Sequence, residues 1–587
     1  MAEFTQASQT TEEFEMKIGG PAIRWAWYGV ITLVGVLTYF YALDSQHIPK
    51  NGDEYPYEHI TRLTAASGHL LPLQSELNGM RNTKPPLLTW QGIASTDWGQ
   101  HWTLWNLRYP SVVYTLLTGF MAFLLGWKIS HRLETGFVAV LTFLAFYSTY
   151  RYGRPYLTNA PEVFWLFLPF FILLYWSPAS FSSRLLVPLL LGIGAGIGFL
   201  YKSFALVVPV GIAISWWYLR YREYRWRLFL AEDSWKIAVT VTIALALFGV
   251  WFLLDPDPQA VWTEFVVSEN AGKLSPNTGS YLAKLLWSTD SIWTMALAYP
   301  YNAGALLFPV VALMLGSYKR RKDLDRSEKL LWIWIIVLAA FFTIPSQRTP
   351  RNLLAAMPAL AVLCALNWER ISRKTFIASV LLTGAVVAVM VYISVRLQQE
   401  LPNDHLYSLA YWSLVAFTGV LVLVAVFVPS LTRSVTNAAI ILMYCCLSAM
   451  LRPFDVEHGA YSADVQRYVN GKVVWVPCDF RAKDEGYRFI FPGIEVHGYR
   501  DDRDRTIPEL EKQYPLFAAR VPLGEADCKD CKVIGERLNL HGRQNSAEIK
   551  EMLGGAIAKH LFVKERLIES QEVALDGIPR HVTEGCR

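Results

Sequence analysis

Long apolar runs constrain this chain more than any other feature. Between residues 25 and 451 they recur at lengths of roughly 17 to 22 residues, which is what a helix needs to cross a hydrocarbon core. The chain is 53% hydrophobic and 18% charged, whereas a soluble domain carries about a quarter charged residues. This pattern predicts a polytopic α-helical membrane protein of about thirteen spans. The spans centre near residues 34, 118, 143, 168, 192, 211, 245, 306, 337, 359, 385, 419 and 442. The 22 Trp and 29 Tyr suit the two membrane interfaces, where an amphipathic ring sits at headgroup depth. The net charge of +5 is carried in short loops between spans, so it reports membrane topology and excludes a nucleic-acid partner.

Residues 1–24 form a polar N-terminal segment without the pattern of a cleaved leader, which makes the run from Trp25 to Leu43 an uncleaved first span. Lys and Arg fix the orientation. They crowd the loops at Lys128 and Arg132, at Arg220 to Arg227, at Lys319 to Lys322 and at Arg370 to Lys374, which are therefore cytoplasmic. The loops 45–108, 150–160, 255–298 and 345–352 then face outward, and an odd number of spans places residues 452–587 outside as well. That tail is rich in charge. It predicts a small soluble α/β domain, with strands at Val473–Val476 and Arg488–Phe491 and helices near 508–514 and 546–562. Cys528-x-x-Cys531 lacks a second half-site for zinc. In an oxidising compartment, disulfides among Cys478, Cys528, Cys531 and Cys586 fit better, with pairing open.

The first outer loop is too long for a turn. Segments Tyr57 to Gly68 and Lys84 to Thr96 read as short surface helices, with Pro85 and Pro86 in the first turn of the second. Asp53 and Glu54 stand just after the first span. Five cations, Lys84, Arg154, Lys202, Arg348 and Arg351, lie on the outer side against the usual bias. Each has an ordinary reading alone, since a lysine near a span commonly snorkels to the interface. Together at one face they point to an anionic ligand, such as a phosphate on a lipid, which arginine binds with two parallel hydrogen bonds. A nearby carboxylate then has the task of taking a proton from an acceptor hydroxyl, while the cations stabilise the departing phosphate.

The order of motifs carries a resemblance. Asp53-Glu-x-x-Tyr57, Ser67-Gly-His-Leu-Leu-Pro-Leu, Leu77-Asn-Gly and Lys84-Pro-Pro-Leu-Leu-x-Trp are similar to the first outer loop of the bacterial GT-C membrane glycosyltransferases. The branch is the one related to protein O-mannosyltransferases and the lipid A aminoarabinose transferase. Gly153-Arg154 with Thr158-Asn159-Ala160-Pro161, Gly198-Phe-Leu-Tyr-Lys202, Ser268-Glu-Asn-Ala-Gly-Lys273 and Arg351-Asn-Leu-Leu follow in the same order, so the resemblance runs over residues 25–365. It implies a GT-C transmembrane domain at 25–451 in a bacterial inner membrane, with its active site and tail in the periplasm. It also implies a polyprenyl-phosphate sugar as donor, a lipid, glycan or protein as acceptor, and inversion at the anomeric carbon. Carried over residue by residue, Asp53 is the catalytic acid/base, with Glu54 beside it. Lys84, Arg154, Lys202, Arg348 and Arg351 hold the donor phosphate, and Tyr57, Asn159, Glu162, Glu269 and Asn270 support the site or the acceptor. Many relatives use a divalent metal, for which Glu54 is the candidate contact. Three positions depart from the pattern: Pro56 where an Arg is common, Thr83 where an acid is common, and Asn159 where an Asp is common, with Glu162 as its possible substitute. These departures keep open a non-catalytic membrane subunit of the same fold. A lipid or glycolipid transporter is the other alternative, although no repeat halves or broken spans support it.

Overall fold

The computed structural model describes residues 21–271, 285–287, 290–345, 348–401, 406–500, 506–525, 531–541 and 544–573. Every expected span centre falls on a helix. Among the described residues, seven helices are long and apolar enough to cross a membrane, by length and composition. Shorter apolar helices cover most of the remaining centres. The first part of the chain runs α1 (Pro21–Phe40), α2 (Glu54–Ala66), α3 (Leu87–Ser95), α4 (Leu104–Ser130), α5 (Leu133–Ala145), α6 (Tyr147–Tyr152) and α7 (Asn159–Tyr175). The two helices expected in the first outer loop are thus present as α2 and α3.

Small residues set the helix spacing. A Cβ built on Gly136 of α5 lies 2.8 Å from the Phe123 carbonyl oxygen of α4, and one built on Gly192 lies 2.8 Å from the Thr240 carbonyl oxygen. Lipid tails are as apolar as leucine, so helices in a bilayer associate by such close backbone approach and not by hydrophobic exclusion. At one end of the bundle the basic loops meet each other. Arg132 pairs with Glu369 at 3.0 Å, Arg320 donates to Asn367 at 2.6 Å, and Arg326 donates to the Tyr221 carbonyl at 3.0 Å.

At the other end sits the soluble domain. Its five-stranded sheet has the order β2-β1-β3-β5-β4, with β1 (Val473–Cys478), β2 (Glu495–Arg500), β3 (Leu516–Pro522), β4 (Lys532–Leu540) and β5 (Phe562–Glu569). The β1 strand pairs parallel with β2 and β3, while β5 pairs antiparallel with β3 and β4. The strand expected at Arg488–Phe491 is instead a helical turn, Tyr487–Ile490. Its β-prone side chains are overridden by packing: Phe491 enters the domain core and Phe489 stacks on Trp102 of the first outer loop at 6.0 Å. Cys478 and Cys531 are both disulfide-bonded; Cys528 and Cys586 lie outside the described residues.

The docking of this domain is polar and specific. The Glu485 carboxylate, fully buried, accepts from His59 Nδ1 (2.6 Å) and from Arg62 Nε (2.9 Å) and Nη2 (2.6 Å), and Arg488 Nε completes the shell at 3.0 Å. His59 Nε2 accepts from the Glu76 backbone N–H at 3.1 Å, which assigns its proton to Nδ1. Burial alone raises the Glu485 carboxyl, but the hydrogen bonds from His59 and Arg62 and the charges of Arg62 and Arg488 outweigh it and hold the group well below the usual carboxylate range. Farther along, Glu400 caps the helix Ile557–Leu561 by accepting from the Ile557 and Ala558 N–H groups at 3.2 and 2.7 Å. Removing Glu485 leaves two arginines without their partner in a largely buried contact. Glu485→Leu is expected to destabilise the docked domain by about 3 kcal/mol, read as earlier melting and proteolytic release of residues after 452. Unchanged protease resistance contradicts this role.

Glu58, one turn from Glu54, is buried in the same contact and has one carboxyl oxygen without a hydrogen-bond partner. Burial first, and then the Glu54 carboxylate, push its pKa up to about 8. Its folded-state value therefore lies above the unfolded value of about 4.3. Wild-type stability falls as pH rises between those two values, because the unfolded chain releases this proton first. Glu58→Gln is expected to melt progressively higher than wild type as pH is raised from about 5 to about 8. A pH-independent difference between the two contradicts the assignment.

Candidate active site

Asp53 and Glu54 are adjacent at the start of α2, and the helix sends them in opposite directions. Glu54 turns inward and is 1% exposed. Its carboxylate accepts from Arg108 Nε (2.9 Å) and Nη2 (3.0 Å), from the Tyr156 N–H (2.7 Å) and from the Asn51 N–H (2.8 Å). Arg108 spends its remaining donors on the Leu43 and Ser45 carbonyls at 3.0 and 2.7 Å. Glu54 thus ties the first outer loop to α4 and to the turn before α7, and both its oxygens are used. Asp53 is the N-cap residue of α2, yet its side chain makes no capping hydrogen bond. The carboxylate is 44% exposed.

There it anchors a chain of polar contacts. Asp53 Oδ2 accepts from Arg351 Nη1 at 2.5 Å, and Arg351 Nε donates to Asn159 Oδ1 at 2.8 Å. The Arg351 guanidinium also lies over the Tyr152 ring, 5.2 Å from its centroid. Asn159 reaches Glu162 Oε2 at 3.5 Å, and Lys202 Nζ donates to that same oxygen at 2.8 Å. Next to Lys202, Ser203 donates to Asn270 Oδ1 at 2.8 Å. Lys84 pairs with Glu269, and its charge, like that of Arg351, is felt at Lys202. Tyr57 stands one turn after Asp53 on the same face of α2, within the field of Arg351, Asp53, Glu269 and Glu162; burial pushes its phenol well above the usual range. A tight wall closes the site behind it: Tyr156 hydrogen-bonds Thr61 at 2.8 Å and the Leu88 carbonyl at 2.7 Å, where a side chain on Gly92 would overlap its hydroxyl.

The structure therefore brings together Asp53, Tyr57, Lys84, Asn159, Glu162, Lys202, Glu269, Asn270 and Arg351. It does not bring Arg154 or Arg348 to them. Arg154 is fully buried and donates to the Tyr39 and Tyr41 carbonyls at the end of α1, satisfying acceptors that a helix end leaves open. Arg348, also buried, donates to the Thr343 and Asp290 carbonyls at 2.7 and 3.1 Å. Among the described residues no group of three His, Cys, Asp or Glu side chains could hold a metal ion. The acids around Asp53 are engaged by arginine and lysine, a donor set that does not fit a divalent metal, and Glu54 has no oxygen left for one. One residue of the site had no sequence signal at all. Arg481 of the soluble domain places Nη1 3.8 Å from Asp53 Oδ1, a contact that exists only once the domain is docked.

Residues 27–263 match the model of the dolichyl-phosphate-mannose-protein mannosyltransferase family. The chain is 26% identical over 397 residues to undecaprenyl phosphate-alpha-4-amino-4-deoxy-L-arabinose arabinosyl transferase 1 of Sodalis glossinidius, covering 66% of this chain and 67% of that one. It is 24% identical to the corresponding transferase of Serratia proteamaculans, covering 73% and 76%. In structure it is similar to ArnT from Cupriavidus metallidurans bound to undecaprenyl phosphate, with a TM-score of 0.59 at 15% identity over 94% of this chain and 99% of the other. In fold the chain is thus similar to ArnT, and in sequence it is similar to the undecaprenyl phosphate-alpha-4-amino-4-deoxy-L-arabinose arabinosyl transferases.

Proposed function

We propose that this protein is an inverting glycosyltransferase that moves a sugar from a polyprenyl-phosphate-linked donor to a lipid acceptor at the outer face of the inner membrane. The observation that carries the reading is the run Asp53–Arg351–Asn159–Glu162–Lys202, in which one exposed carboxylate adjoins cations already paired with acids. A donor phosphate entering this run replaces the acids as the partner of Arg351, Lys202 and Lys84. Asp53 Oδ2, released from Arg351, then accepts the proton of the acceptor hydroxyl. The acceptor oxygen bonds to the anomeric carbon from one side while the bond from that carbon to the phosphate oxygen breaks on the other. Polyprenyl phosphate leaves with the electron pair, its charge met by the same cations. The relatives named as undecaprenyl-phosphate-sugar transferases and the ArnT structure bound to undecaprenyl phosphate support this donor class. The disulfides at Cys478 and Cys531 support an oxidising compartment, hence a periplasmic soluble domain.

The test is transfer by the purified full-length protein from an undecaprenyl-phosphate-linked sugar to a glycolipid, with the anomeric configuration of the product determined. Inverted product supports the reading; retained configuration, or no transfer from any such donor, sinks it. Lys202→Met is expected to raise the KM for donor about tenfold, the loss of one charge-assisted contact to phosphate. A Lys202→Met enzyme with wild-type donor KM contradicts the placement of the phosphate.

A further inference from the structure

The helix Ser546–Leu553 of the soluble domain turns an apolar face outward. Its start is fixed locally. The Asn545 side chain accepts from the Ala547 and Glu548 N–H groups at 2.9 Å each, and Glu548 Oε2 accepts from the Asn545 N–H at 2.7 Å. Met552 packs inward against the helical core, and Glu551, on the opposite side of the helix from Ile549, pairs with His560 Nε2 at 2.7 Å. Ile549 and Leu553 lie one turn apart on a shared face and are 49% and 73% exposed. Two large aliphatic side chains kept together at the surface mark a contact with something apolar.

The level of this face is set by the span it leans on. The helix Arg373–Glu400 carries no charge from Thr375 to Val395, a run of 21 residues, which matches the roughly 20 needed to cross the hydrocarbon core. Arg396 therefore stands where the core ends, and Tyr392, one turn earlier, stands at interface depth. The next helix, Leu409–Phe427, begins at the same height: Ser394 Oγ and the Tyr411 hydroxyl are 2.6 Å apart. Tyr407, Tyr411 and Trp412 cluster there with ring centroids 4.7 to 6.0 Å apart, an aromatic belt of the kind that borders a bilayer. The soluble domain is tied to this level. The Tyr392 hydroxyl donates to the Leu553 carbonyl at 3.3 Å, Glu400 accepts from the Ile557 and Ala558 N–H groups, and a Cβ built on Gly555 lies 2.7 Å from Arg396 Nη2. Val389, Tyr392 and Val395 of the span are themselves exposed, so the face of Ile549 and Leu553 continues the surface that the span turns to lipid.

We propose that the helix Ser546–Leu553 is a membrane-surface anchor, with Ile549 and Leu553 inserted among the lipids of the adjoining leaflet. A helix lying in the interface buries its apolar face about 5–10 Å into the boundary between headgroups and acyl chains, while Glu551 on the far side stays in water with His560. The soluble domain is then held twice, by the contacts of Glu485 with α2 and by lipid at Leu553. Its seat on the helix bundle depends on the bilayer as well as on protein contacts.

Quenching locates the face. The full-length Leu553→Cys protein carries a fluorophore at position 553 and is placed one copy per phospholipid nanodisc, so that no second copy can cover the helix; the wild-type chain treated alike gives the background. Phospholipids brominated in the upper acyl chain are expected to quench the label, and aqueous iodide to quench it far less than the free dye. Quenching by iodide as full as that of the free dye overturns the proposal. So does protection from both quenchers, which means that protein covers the face. Proteolysis in the same nanodiscs reads the anchoring, with trypsin, for which glutamate adds no site. Leu553→Glu is expected to release residues after 452 about tenfold faster than wild type, the loss of one leucine's partial burial, and Leu553→Ile at the wild-type rate. Equal release from Leu553→Glu and wild type contradicts the anchor. Position 553 is exposed within the protein, so the variants fold, which their circular dichroism verifies.

Discussion

The buried pair between Glu54 and Arg108 is the contact on which this end of the helix bundle depends. Arg108 takes the Glu54 carboxylate with two nitrogens and the carbonyls of Leu43 and Ser45 with a third. The Asn51 and Tyr156 backbone groups complete the carboxylate. Neither charge can be removed alone without leaving the other uncompensated in a site of low dielectric, a loss of about 3–5 kcal/mol. One ion pair therefore fixes where the first span ends, where α2 starts and how the turn before α7 lies against both. With Glu54 facing inward, its neighbour Asp53 faces outward, and the direction of the carboxylate proposed to take the acceptor proton is set by the residue beside it.

The second constraint runs along α2. Asp53 opens the helix, Tyr57 follows on the same face, and His59 and Arg62 present the side that grips Glu485 of the soluble domain. A helix is stiff over this length, so the cations of the helical domain, the carboxylate and the docked domain share one reference. Arg351 and Arg481, which are separated by the rest of the membrane domain in sequence, reach the two oxygens of one side chain for that reason.

Much of this was legible in the sequence. Apolar run lengths located the helices, because a bilayer dictates length and composition together. The first-loop motif and the cations beside the spans singled out Asp53, Lys84, Lys202 and Arg351, which the fold brings together. What was not legible depends on tertiary direction. Adjacent acids look alike in a sequence, and α2 separates them only by which way each one turns. Arg154 and Arg348 read as cations at the outer face, yet their donors serve backbone carbonyls of helix ends and loops. The Arg488–Phe491 run reads as a strand by local preference, and docking against Trp102 made it a helical turn. Arg481 gave no signal, since its meaning comes from a contact between segments more than four hundred residues apart.

The measurement that tests this account most directly compares two isosteric substitutions at neighbouring positions. Asp53→Asn is expected to lose roughly 10²–10⁴-fold in turnover while melting with wild type. Glu54→Gln is expected to lower the melting temperature through the weakened Arg108 contact. An Asp53→Asn protein that turns over at the wild-type rate contradicts the central claim that this carboxylate takes the acceptor proton.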